Sequence, residues 1–143
     1  KDALHGVKCP VILVPEKFDF PKSIVLAYDG SEDSIFAIKQ FAYLLPELTH
    51  LETLLIFAHD DDKKDFPEKV PLLELTSRHF SNLILHKLEV NPTKQFSNWI
   101  MENKTALLVS GSYGRSGFSR LFKKSFIKEV ISSHRLPVFI AHQ

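Results

Sequence analysis

The sequence predicts an α/β fold: a five-stranded, doubly wound, mainly parallel sheet with helices on both faces. Three observations carry this. Apolar runs rich in branched residues alternate with helical patterns, which implies right-handed crossovers between parallel strands. Two of the runs, "SIVLAY" and "ALLVS", are apolar almost throughout, as strands buried on both faces are. Glycine and polar turn residues stand directly after both runs, at the strand ends where open α/β sheets bind ligands.

Each element follows in order. "SIVLAY" predicts a strand over 23–28, and "DGSEDS" ends it with turn chemistry. Ser31 is placed as a helix N-cap, with Glu32 and Asp33 suited to the positive end of the helix dipole. Ile35, Ile38, Ala42 and Leu45 then recur at helical spacing until Pro46 stops the helix. "LETLLIFAH" predicts a strand over 52–58, followed by the charged loop "DDDKKD". A helix is expected within 67–82, with Pro71 confined to its first turn. "LILHKLEV" predicts a strand over 83–90 near an edge, and "NPTKQFSNWIMEN" a helix with Phe96, Trp99 and Ile100 on one face. A strand at 105–110, a helix marked by Phe126, Ile127, Val130 and Ile131, and a strand at 136–141 complete the unit.

The first residues stand outside this scheme. "KCPVILVPE" (8–16) repeats the pattern of "RLPVFIAHQ" (135–143): a basic residue, an apolar one, proline, then four apolar residues. A repeat about one domain length apart suggests a tandem array. On that reading residues 1–16 carry the terminal strand of a preceding repeat, 17–22 are a linker, and 23–143 form the domain. An unrelated N-terminal strand is the plainer alternative.

Bulk composition narrows the function. The 143 residues suit one domain with a sizeable core, at 44% hydrophobic and 24% charged content. A formal net charge of +1 gives no general pull toward nucleic acid or an acidic membrane, so any anion site is local. No apolar run approaches the roughly 20 residues that span a bilayer. A single cysteine, Cys9, rules out an intrachain disulfide and points to a reducing, cytoplasmic setting.

Two segments, "SIVLAYDGSEDS" and "VSGSYGRSGFSRLFKKSFIKEVISSHRLPVFIA", resemble the universal stress protein domain. The second is the more specific: Gly-x-x-Gly, nine further residues, a glycine with Ser or Thr, then a helix and a "PV" strand. The resemblance covers about 22–143. It implies the universal stress protein fold, similar to the adenine-nucleotide alpha-hydrolases, with nucleotide at the strand ends. It also implies a homodimer, or a tandem-domain pseudo-dimer, formed through the last strand, with Val11, Leu13, Val138 and Ile140 in the contact.

Nucleotide-binding members of the family hold ATP on that loop. Carried over by position, Asp29 contacts the adenosine portion, Ala58 lies beside adenine, and Gly111 and Gly114 line the ribose and phosphate path. Ser125 keeps the hydroxyl position of the motif. Lys124 stands where the motif has glycine. Glycine there lets backbone approach phosphate and accepts positive φ, which lysine does only at a cost. Arg115 and Lys124 nevertheless add positive charge near a helix start already suited to anions. On the sequence, retained ATP binding, with or without Mg²⁺, and a relic loop in a degenerate interaction module both stand open. Gly111 and Gly114 serving only to turn the chain is the bland reading, and for Asp29 it is helix capping.

Other candidates read as ordinary structure. "HDDDKKD" lacks the ligand spacing and the glycine of a calcium loop. No histidine makes an HxxxH pair, Cys9 has no CxxC partner, and no GxSxG elbow occurs. No catalytic constellation and no metal set emerges, so at most slow ATP hydrolysis is expected. Phe36, Phe41, Phe57, Phe96 and Trp99 fit a core better than a base-stacking platform.

Overall fold

The computed structural model describes residues 9–58, 69–88, 98–99, 103, 105–111 and 136–141. Within them the chain forms β1 (Val11–Leu13), β2 (Ser23–Tyr28), α1 (Glu32–Leu44), β3 (Glu52–Ala58), α2 (Lys69–His79), β4 (Leu83–Leu88), β5 (Ala106–Ser110) and β6 (Val138–Ile140). The strands make a single sheet in the order β1-β6-β5-β2-β3-β4. All neighbours run parallel except β1, which lies antiparallel to β6. The fold expectation holds, with one difference. There are six strands among the described residues, because Val11–Leu13, expected to contact the last strand, extends the five-stranded sheet along the edge of β6.

The all-apolar runs are the centre of the sheet. β2 pairs with β3 from Ser23↔Glu52 to Tyr28↔Phe57, and with β5 from Ser23↔Ala106 to Leu26↔Val109. Ile24, Leu26, Tyr28, Leu55, Phe57, Leu107 and Val109 form the face that meets α1. Val25, Ala27, Ile56, Leu108, Val138 and Ile140 alternate with them and are buried as well. Burial on both faces explains why these strands show no polar alternation.

α1 forms where its cap and its apolar stripe agree. Ser31 is extended (φ −85°, ψ 154°), and its hydroxyl accepts the Ser34 N–H at 3.2 Å. Ala37, Ile38, Phe41 and Ala42 bury one face. Phe41 sits at its centre, edge-on to Phe139 of β6 (5.4 Å) and stacked with Phe80 (6.3 Å). Burying a side chain of that size contributes about 1.5–3 kcal/mol. The helix ends before Pro46: the Leu45 N–H donates to the Phe41 carbonyl at 2.9 Å, and a short 3₁₀ turn, Pro46–Leu48, follows.

In α2, Pro71 is the third residue, inside the first turn as expected. The buried Thr76 hydroxyl donates back to the Leu72 carbonyl at 2.7 Å. β4 runs to Leu88, while 89–90, Phe96 and the expected helix around Phe126, Ile127, Val130 and Ile131 lie outside the described residues. Phe41 and Phe57 are fully buried and Phe36 packs on the core, as their spacing predicted.

Candidate functional site at the ends of β2, β3 and β5

From β2 the chain crosses outward to β3 and β4, whereas β5 and β6 lie on the other side. The switch point is therefore the seam between β2 and β5, where ligands bind in open α/β sheets. Asp29 follows β2 and Gly111 follows β5, so two of the expected site residues flank this seam. Ala58 ends β3 one step beyond the Tyr28↔Phe57 pair, level in register with Asp29.

Asp29 is half-buried and engaged. Its Oδ1 accepts the Ser31 N–H at 3.0 Å and the Ser31 hydroxyl at 2.6 Å. Gly30 between them takes φ 85°, a left-handed conformation that favours glycine. Ser31 thus accepts from Ser34 N–H with one side of its hydroxyl and donates to Asp29 with the other. The cap is Ser31, and the Asp29 carboxylate braces it. The Ser34 hydroxyl in turn donates to the Ser31 carbonyl at 2.7 Å. This chain of bonds sets the first turn of α1 at the mouth of the seam, with Glu32 and Asp33 in that turn.

Gly111 is buried against the same turn. A Cβ built on it would lie 2.7 Å from the Asp33 carbonyl carbon, 2.8 Å from the Ser34 nitrogen and 2.9 Å from the Asp33 oxygen. Those atoms are backbone and cannot swing away. Glycine is required here by close approach, not by a special φ, because Gly30 is the glycine with positive φ among the described residues. The bland reading of Gly111 as a simple turn residue is therefore too weak: it docks the start of the loop onto α1. No local signal in the sequence carries that contact.

Ser110, the last residue of β5, was not singled out from the sequence. It is fully buried, and its hydroxyl has no hydrogen-bond partner among the described residues. A polar residue closing an otherwise apolar run was the available signal. Gly114, Arg115, Lys124 and Ser125 lie outside the described residues, as does the "HDDDKKD" loop. Among the described residues no group of three His, Cys, Asp or Glu side chains could hold a metal, and no helix is long and apolar enough to cross a membrane.

At the far side of the sheet, the four expected contact residues meet within one chain. Val11 pairs with Ile140 and Leu13 with Val138, on either side of the Ile12↔Phe139 pair. The outer edge of β6 is filled by β1.

No protein-family profile matches the chain, and no curated protein matches it in sequence. Solved structures do. A universal stress protein from Archaeoglobus fulgidus superposes with a TM-score of 0.61 at 19% identity, over 98% of this chain and 52% of that one. The universal stress protein UspA from Lactobacillus plantarum gives 0.56 at 14% identity, over 87% of this chain and 99% of that one. A universal stress protein in complex with cAMP gives 0.56 at 18% identity, over 87% and 98%. The fold is that of the universal stress proteins. The chain spans about half the length of the Archaeoglobus structure and nearly the full length of the other two.

Proposed function

We propose that this chain is a universal stress protein-like domain that binds an adenine nucleotide, ATP with or without Mg²⁺, at the β2–β5 seam in a stress-response or signalling role. The observation that carries the proposal is that Asp29 and Gly111 directly follow adjacent parallel strands at the switch point and are each held to the start of α1. The cAMP complex of a protein with the same fold supports the ligand class. Asp29 then serves the adenosine portion, Ala58 adenine, and Gly111 and Gly114 the ribose and phosphate path. Arg115, Lys124 and Ser125 serve the phosphates. No side chain is assigned to activating water, so hydrolysis is slow at most, and the lone Cys9 fits a cytoplasmic setting.

Calorimetric titration of the chain with ATP and Mg²⁺, beside Gly114→Arg, tests this. Micromolar binding that the variant loses is expected. No binding at millimolar nucleotide, by heat and by a second method, would sink it.

A second reading keeps the fold and gives up the nucleotide: an interaction module with a degenerate pocket. Lys124 in place of the motif glycine favours it. Under either reading we take the chain as the second of two tandem units, with 1–16 ending the first, 17–22 linking and 23–143 forming the second. The filled edge of β6 favours such a pseudo-dimer over a homodimer through that strand.

A further inference from the structure

The two edges of the sheet are guarded differently. Among the described residues β1 forms one edge and β4 the other. β1 is three residues long, and Pro10 and Pro15 bracket it. Proline has no N–H to donate, so the pairing available along that edge is short. β4 is six residues long, with neither proline nor glycine in "LILHKL". It stays in unbroken register with β3, from Thr53↔Leu83 to Ala58↔Leu88. Among the described residues no strand pairs with its outer edge.

The side chains along that edge are as unguarded as the backbone. Parallel register puts Leu83, Leu85 and Lys87 on the face of Leu55 and Phe57, which meets α1. Ile84 and His86 alternate onto the other face. Ile84 is 48% exposed and Leu85 36%, so apolar surface lies open on both faces at one point of the edge. Edge strands ordinarily carry a bulge, a proline or a charge at such a point. The charge in β4 is Lys87, two residues further on.

We propose that β4 pairs antiparallel with β4 of a second copy of this chain, extending the sheet across a two-fold axis at Leu85. A strand edge is matched by another row of unpaired donors and acceptors. Of the two edges this chain offers, β4 alone has the length to match β4. Residues directly opposed in an antiparallel pair share a face. The register Leu85↔Leu85, Ile84↔His86 and Leu83↔Lys87 meets that condition. Centring it on Leu85, rather than on His86, keeps the two histidines apart and brings the Leu83–Leu85 run of each copy into the contact. No like charges are opposed: each Lys87 lies against Leu83, its aliphatic stem over the leucine and its ammonium in water. The contact is isologous, so it closes at two copies. It involves neither the β6–β1 pairing nor the β2–β5 seam, and it stands whether or not the chain binds a nucleotide.

Light scattering on the chain, eluted from a sizing column over a wide range of concentration, tests this. A mass twice that of the chain is expected, falling to the single mass on dilution. Leu85→Lys and Leu85→Asp each set like charges face to face at the axis, and each is expected to weaken the dimer at least tenfold. Mixed in equal amounts, the two variants are expected to recover it, which a merely destabilised fold would not do. Ile84→Lys, on the other face, serves in their place if either fails to fold by circular dichroism. Ile12→Lys, at the opposite edge, is expected to leave the dimer intact. A chain that is monomeric at every concentration would overturn the proposal and leave the edge to another partner. A dimer that survives the β4 variants, variants that do not recombine, or a dimer that Ile12→Lys dissolves would overturn it too.

Discussion

Two seams of the sheet, β2–β5 and β6–β1, are closed differently. At the β2–β5 seam, parallel strands are buried on both faces, and the chain closes the end itself: Asp29 braces Ser31, and Gly111 lies against Asp33 and Ser34. At the β6–β1 seam, one strand is buried throughout and its sequence counterpart is partly exposed. A strand pattern specifies that a segment pairs. Whether the paired segment is also covered depends on what else packs there, so equal patterns carry unequal energies.

Substitutions can break that contrast. Phe139→Ala should have the largest effect, about 3–5 kcal/mol, because it empties the space beneath Phe41. Urea unfolding of the chain measures it, and a loss under about 1 kcal/mol would show that β6 is not part of the core. Gly111→Ala should cost about 1–3 kcal/mol by forcing the loop away from α1. The same variant should weaken any nucleotide binding at the seam, so titration and unfolding are read together.

Two smaller effects sharpen the comparison. Ser31→Ala removes both the cap to Ser34 and the donor to Asp29, and should cost about 1 kcal/mol, measured as a lowered urea midpoint. Ile12→Ala should change the stability of this chain by about 0.5 kcal/mol or less, since surface positions tolerate substitution. A loss near that of Phe139→Ala would show that Ile12 is already covered, removing the asymmetry between the two strands.

Much of this was readable in the chain. The turn "DGSEDS" announced its own geometry: glycine for the left-handed residue, serine for the cap, acids for the first turn. Hydrogen bonds between residues two and three apart need no tertiary context, which is why this half of the site was legible. Ser31 was expected as the cap and is the cap, while the bland reading of Asp29 was helix capping. The Asp29 carboxylate acts through Ser31, an arrangement set by side-chain geometry within three residues. The Gly111 contact was not legible, because residues nearly eighty positions apart approach only after β5 has docked beside β2.

Local chemistry and periodicity, then, specify the strands, the helix start at Ser31, the stop at Pro46 and the alternation that makes an α/β sheet. These depend on a few neighbouring residues and on the spacing of apolar ones. Strand order, the place of β1 in the sheet, the glycine required at 111 and the unequal burial of two matching strands depend on contacts between distant segments. Such contacts form only when the sheet assembles, and the same short apolar run then takes whichever surroundings its neighbours leave it.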